Sequence, residues 1–317
     1  MQKTISCKTM LLLAGLLYFC LASTAQAEDR VVVIPMGSAK PLQNVVTVAK
    51  GNGKFTDPVA AVNSITDATA TNPYLVLIAP GIYTLTTTLV MKPYVDISGS
   101  GENITKLTGA ISSATPDATS AIVKGANHTT LSNLSISNTG SNLYSLGIYT
   151  TGLGFSAQLQ QVLTTATGGT YNVGIFNTTS SSPIMTGVNI IASGGTINAG
   201  VVNIAASSPI MTDVNIVVSA GTNANYGVDN DNSSPTMTGV NTVVSGGTTN
   251  YGVNNHSSSS PTIRRSSIAG ATDGLHNTSS TATISQSTIF NGVSGTGFTC
   301  VACDNGVGVA LTDVCLL

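Results

Sequence analysis

The sequence predicts an all-β fold, a single-stranded parallel β-helix with a short capping helix at its N-terminal end. Three observations carry this. Ser-Ser-Pro tripeptides end at Pro183, Pro209, Pro235 and Pro261, 26 residues apart each time. Inward positions recur two, five and seven residues beyond each proline, apolar except at Thr242 and Ser266, and an asparagine recurs three residues past a repeated glycine. A period of this length marks a solenoid, in which no unit buries its apolar face alone.

Taken in chain order, the first 27 of the 317 residues read as a secretory leader. Lys3 and Lys8 precede an apolar run from Met10 to Ala22, and Ala25-Gln26-Ala27 fits the small-x-small cleavage rule. That run is too short to span a bilayer, so the expected product is exported, periplasmic, surface-bound or extracellular, and not inserted in a membrane. The chain reads as bacterial.

Residues 28–125 are expected to hold an N-terminal cap and the first coils. Val45 to Ala49, Tyr74 to Ala79 and Val95 to Ser98 read as strands, with a turn at Pro80-Gly81. Asp57-Pro58 offers an N-cap followed by proline at the first helical position. Val59, Val62 and Ile65 then share one helical face. Such a helix would cover the open end of the first coil.

Residues 126–296 carry the repeats. The inward triplets are Met185-Val188-Ile190, Met211-Val214-Ile216 and Met237-Val240-Thr242. Leu131-Leu134-Ile136 and Leu159-Val162-Thr164 precede them, and Ile263-Ser266-Ile268 and Ile284-Ser287-Ile289 follow. The final step of two is a strand's period, whereas the step of three before it requires a bend or bulge. A further strand opens at Gly147, Gly174, Gly200, Gly227, Gly252 and Gly274. Three residues past the last five of these glycines stand Asn177, Asn203, Asn230, Asn255 and Asn277. Parallel coils in register would stack these amides into an inward ladder. Residues 297–317 lose the repeat and read as a C-terminal cap.

That cap holds Cys300, Cys303 and Cys315. Export favours a disulfide, and Cys300–Cys315 would close the longest loop, but the pairing stays open at this level.

Charge excludes whole classes of function. The chain has 11 basic and 13 acidic residues; without the leader's two lysines 9 and 13 remain, formally −4. Residues 125–212 contain no Lys, Arg, Asp or Glu. A nucleic-acid groove needs clustered cations, so that partner is excluded, as is a basic membrane-surface helix.

The segments VVTVAKGNGKF, NPYLVLIAPGIYTL and YVDISGSGENITKLTG resemble the opening of pectinesterase-like proteins of the pectin-lyase-like superfamily. The resemblance implies a right-handed parallel β-helix. It does not carry an activity, because GxDFIFG and LGRPW, which hold the esterases' aspartates and arginine, are absent, as is any tryptophan. The motif set of polygalacturonases is absent too, and the uncharged coils offer no acidic calcium ligands of the pectate-lyase kind. No cofactor is expected.

Charge returns only late in the stack. Asp229 and Asp231 flank the inward Asn230, so both are expected to face solvent, roughly 7 Å apart. One coil on, the same columns hold Asn254 and His256, and one further His276 and Thr278. The expected patch is therefore Asp229, Asp231, Asn254, His256 and His276, with Arg264 and Arg265 on the neighbouring strand face. Outward Asn189, Asn215 and Asn241, beside Thr186, Thr212 and Thr238, form a further row suited to sugar hydroxyls.

The reading that follows is a secreted, non-catalytic β-helix protein in extracellular or surface interaction, with polysaccharide as partner. Two alternatives stand beside it. The Asp/His patch would serve a divergent polysaccharide-active hydrolase, esterase or lyase, or a mixed Asp/His metal site. The other alternative is a purely structural or adhesive scaffold.

Overall fold

The computed structural model describes residues 44–154 and 156–316, so the leader lies outside the described residues. The chain winds into a parallel β-solenoid with two sheets, one of eighteen strands and one of nine. Each regular coil gives two strands to the larger sheet and one to the smaller. The coil opened by Pro183 shows the plan: Ile184–Thr186, a bend, Asn189–Ser193, a loop, then Ile197–Ile204.

Register follows the repeat. Met185 pairs with Met211 and Met211 with Met237. Asn203 pairs with Asn230 and Asn230 with Asn255. Like side chains therefore stack on like, and Met185, Val188, Met211 and Val214 are wholly buried. The bend has one cause in every coil. Asn133, Gln161, Gly187, Asp213, Gly239, Arg265 and Gln286 adopt φ between 46° and 65°. One left-handed residue turns the chain so that side chains three apart both point inward. For the non-glycine members this costs about 1–2 kcal/mol each, which the buried triplet on either side offsets.

Polar ladders satisfy the corners that the sheets leave open. Asn177, Asn203, Asn230, Asn255 and Asn277 bond amide to amide at 2.8–2.9 Å, deep in the interior. A second buried ladder runs through Asn172, Asn198, Asn225 and Asn250 at 2.9–3.0 Å. These four stand two residues before each strand's glycine, a regularity the sequence displays. The Ser-Ser-Pro tripeptide has a similar explanation. Ser181 donates its backbone N–H to Ser207 Oγ, Ser207 to Ser233 and Ser233 to Ser259, giving each buried corner amide an acceptor. The glycine between the inward asparagines is required as well. A Cβ on Gly174 would lie 2.2 Å from Ile190 Cγ2.

Both ends of the molecule depart from the expectations. The capping helix is Pro58–Asn63, with Asp57 Oδ1 accepting from Val59 and Oδ2 from Ala60. Ala61 and Val62 form its buried face, and Ile65 is buried beyond its end. The stretch expected to be a turn bends at Pro80, but Gly81–Leu85 is already a strand. Thr105–Gly109 and Ala121–Lys124 add strands where the sequence shows no tripeptide. At the far end the stack continues past residue 297. Phe298–Val301 pairs with Ala282–Ser285, placing Cys300 over Ile284. Ala302 takes the bend conformation at φ 54° and Cys303 is buried, so two cysteines occupy core columns of one more coil. Beyond it, Cys300 is disulfide-bonded to Cys315, and Cys303 remains a buried thiol.

Candidate functional site

The site is built on the outward side of the nine-stranded sheet. Asn230 and Val228 point inward from Ala224–Asp231, which leaves Asp229 and Asp231 outward. Parallel pairing sets Asn254 beside Asp229 and His256 beside Asp231. The imidazole leans across the strand and meets both carboxylates. Its Nε2 lies 3.2 Å from Asp229 Oδ1, and its Nδ1 lies 3.6 Å from Asp231 Oδ1. Asn254 Nδ2 donates to the same Asp229 oxygen at 2.7 Å. The hydrogen bond to Asp229 raises the His256 pKa, and the charges of both aspartates add to that against the opposing effect of burial. Asp229, Asp231, Asn254 and His256 thus form one connected group.

His276 belongs to a different group. Its Nδ1 lies 2.7 Å from Ser294 Oγ, and the Ser294 hydroxyl donates to Asp273 Oδ2 at 2.6 Å. Thr278 Oγ1 lies 3.0 Å from Nε2. With Ser294 donating to the carboxylate, the network assigns the proton to Nδ1 of a neutral ring. Burial lowers the His276 pKa, in keeping with that state. The ring also stacks on Tyr251 at 4.4 Å, and Tyr251 stacks on Tyr226 at 6.1 Å.

Tyr226, Tyr251, Asp273 and Ser294 escaped the sequence reading. Their column is Leu146, Val173, Ala199, Tyr226, Tyr251 and Asp273, the residues just before each strand's glycine. The signal was a change from aliphatic to aromatic at the coil where charge reappears.

Arg264 and Arg265 do not join the patch. Arg264 ends Thr262–Arg264 in the eighteen-stranded sheet, and Arg265 occupies the bend. Among the described residues the ion pairs are the two of His256. Nor is the amide row flat and free. Asn215 donates to Asn189, which donates in turn to Glu102 at 3.0 Å, and the apolar stripe Ile191, Val217 and Val243 runs beside it. Among the described residues, no group of three or more His, Cys, Asp or Glu is placed to hold a metal ion. No helix among them is long and apolar enough to cross a membrane.

What can this arrangement do chemically? Both nitrogens of His276 lie against hydroxyls, whereas His256 presents Nε2 to Asp229 and Nδ1 to Asp231 and the Ser257 hydroxyl. The group is a set of pre-ordered donors and acceptors, only part-exposed, at successive coil heights.

The molecule is a parallel β-helix. Among solved structures it is similar to pectin methylesterase from carrot, at 15% identity over 81% of this chain and 76% of that one, with a TM-score of 0.53. It is also similar to a pectin methylesterase in complex with a hexasaccharide, at 11% identity over 86% and 92% of the two chains, TM-score 0.53. At such identities the likeness establishes the fold. No family model matches the chain, and no curated protein does.

Proposed function

We propose that this is an exported polysaccharide-binding β-helix that holds its glycan without cleaving it. The glycan lies on the outer face of the nine-stranded sheet at the coils of Tyr226, Tyr251 and His276. The observation that supports this is the stacked column Tyr226–Tyr251–His276 beside the Asp229–His256–Asp231 group. Tyr226 and Tyr251 stand on the outward side of the sheet and are part-exposed. With the carboxylates and Asn254 they form a row of hydrogen-bonding groups repeating at about the coil spacing of 4.8 Å. Because that row is fixed by stacking and pairing, little ordering entropy is lost on binding. Three aspartates against one raised-pKa histidine make the patch acidic. It therefore favours neutral or amino-sugar polymers over uronic-acid polymers, which it repels.

A hydrolytic reading has one observation behind it. Ser257 Oγ lies 3.4 Å from His256 Nδ1, whose other nitrogen meets Asp229. Affinity electrophoresis on neutral, amino-sugar and acidic polysaccharides, with product release measured alongside, tests both. The expected result is retention by a neutral or amino-sugar polymer with no product, and loss of retention in Asp229→Asn. Product release abolished by Ser257→Ala or Asp231→Ala would overturn the non-catalytic reading. Retention on no glycan would overturn binding altogether.

A further inference from the structure

The last coil is covered unevenly. It consists of Val293–Ser294 in the nine-stranded sheet, Phe298–Val301 in the larger one, and Asp304, which bridges to Thr288. The tail folds back over the last two. Cys300 N–H donates to Asp313 O, Leu311 N–H donates to Cys303 O, and Asp304 pairs with Ala310. The rest of the tail bonds to itself, with Thr312 N–H on Leu316 O and Leu316 N–H on Thr312 Oγ1. Among the described residues no main-chain group of the tail bonds Val293 or Ser294. Val293 lies over Leu275, and Gly292 O accepts from Gly274 and Leu275. Gly292 and Ser294 therefore direct their main-chain groups to the coil below, and Val293 directs its N–H and C=O to the open side. Two cavities of about 190 and 550 Å³ flank this edge and share Val293 and Leu316 in their walls. Phe298 and Val314 line the smaller one and Leu311 the larger. Val314 is 53% exposed and Leu316 54%, although both are aliphatic. From residue 266 onward the chain holds Asp273, Asp304 and Asp313 and no Lys or Arg. Asp273 stands beside the edge and accepts from Ser294 Oγ.

We propose that this edge is a peptide-binding site, and that an extended, aliphatic and basic segment of a partner protein adds to the nine-stranded sheet there as one more strand. An unpaired edge offers main-chain bonds to any extended chain, and pockets for alternate side chains make the choice specific. Here Val293 supplies the main-chain groups and the two cavities take the aliphatic side chains. The surplus of carboxylates selects lysine or arginine at the positions between and repels an acidic segment. The same charge disfavours a second copy meeting this one by the same end, because like charges would face each other. A head-to-tail copy is disfavoured too. The opposite edge of the nine-stranded sheet, Leu89–Val90, lies against the capping helix, so a second copy has no bare strand of that sheet to offer.

Fluorescence anisotropy of a labelled heptapeptide of alternating lysine and valine, titrated with the full chain, tests this. Saturable binding is expected, weakening as salt rises. The same peptide with glutamate for lysine should bind several-fold more weakly, and Asp313→Lys should narrow that difference. N-methylation of the valines blocks strand pairing and should cost about tenfold, the loss expected from one or two main-chain hydrogen bonds. Val293→Pro removes the outward N–H at an edge position, where proline is tolerated. Leu316→Asp charges the groove from outside the stack. Each variant should weaken binding several-fold while far-UV circular dichroism stays unchanged. No saturable binding of the lysine peptide would overturn the proposal. Equal binding of the N-methylated peptide would reduce the effect to surface charge and overturn it. So would binding lost in Asp229→Asn yet unchanged in Val293→Pro and Leu316→Asp, which would put the peptide on the Asp/His group. A dimer seen in sedimentation and abolished by Val293→Pro would assign the edge to a second copy and overturn it as well.

Discussion

The two halves of the nine-stranded sheet share one interior and present opposite exteriors. Beneath both runs the same asparagine ladder, with Asn177–Asn203 under the apolar half and Asn230–Asn255 under the charged half at the same 2.8 Å. Outside, one column passes from Phe176 and Val202 to Asp229, Asn254 and His276. Its neighbour passes from Val173 and Ala199 to Tyr226 and Tyr251. The change falls within one coil, at Tyr226–Asp231. Inward positions must complete a stack, so every coil repeats them; outward positions are released from that constraint and can change function without disturbing the fold.

If the interior is indifferent to what it carries, equal lesions in the two halves must cost the same. Asn203→Ala and Asn230→Ala each leave one buried donor and one buried acceptor without a partner. At about 1–3 kcal/mol per orphaned group, each should lose roughly 2–6 kcal/mol in denaturant unfolding. The two values should agree within about 0.5 kcal/mol, the scatter expected of independent sites. A markedly larger loss for Asn230→Ala would mean that the Asp/His group outside also supports the ladder, and the separation of interior from exterior would fail.

The exteriors themselves are separated by a smaller effect. Tyr251→Ala removes the ring between Tyr226 and His276, a stacked arrangement worth about 1 kcal/mol beyond its buried area. Glycan retention should fall about five- to tenfold. Tyr171→Ala, in the Tyr144–Tyr171 stack of the apolar half, should leave retention unchanged. Equal losses in titrations of the two variants would show the glycan running along the whole face, and would remove the functional division between the halves.

How much of this was legible follows from the same division. The inward columns were readable because each recurs at 26 residues through four tripeptides. His256 could be placed beside Asp229 and Asp231 because parallel strands in register convert a sequence offset directly into a neighbour. His276 was assigned to the wrong group. Its column was right, but its partners Asp273 and Ser294 lie at the ends of the shortened coils that follow, where the step between ladder asparagines drops from 25 to 22 residues. The last coil was hidden because Cys300 and Cys303 take the place of aliphatic residues, a substitution that reads as a change of domain. The outward apolar residues were hidden for another reason. Residues such as Phe176 and Val202 look like ordinary core until the structure shows on which side of the sheet they stand.

The smallest effect is also the one with two signs. His256 has a raised pKa through its hydrogen bond to Asp229 and the charges of both aspartates, so the folded protein holds the proton more tightly than the unfolded chain. That stabilisation is fully present below the ordinary histidine value of about 6.5 and is lost as pH rises through the higher folded value. His276 has a pKa lowered by burial, so the unfolded chain takes the proton first. Its contribution runs the other way, and stability is lost as pH falls below about 6.5 toward the lower folded value. The two losses lie on opposite sides of about pH 6.5, within the range in which histidine titrates. Thermal unfolding at closely spaced pH values should therefore show the parent protein most stable near about pH 6.5, with a fall on each side. His276→Gln should leave the loss toward high pH, and His256→Gln the loss toward low pH. If both variants tilted the profile in the same direction, the two imidazoles would have to share one network, and the Asp229–His256–Asp231 and Asp273–Ser294–His276 groups would be a single site.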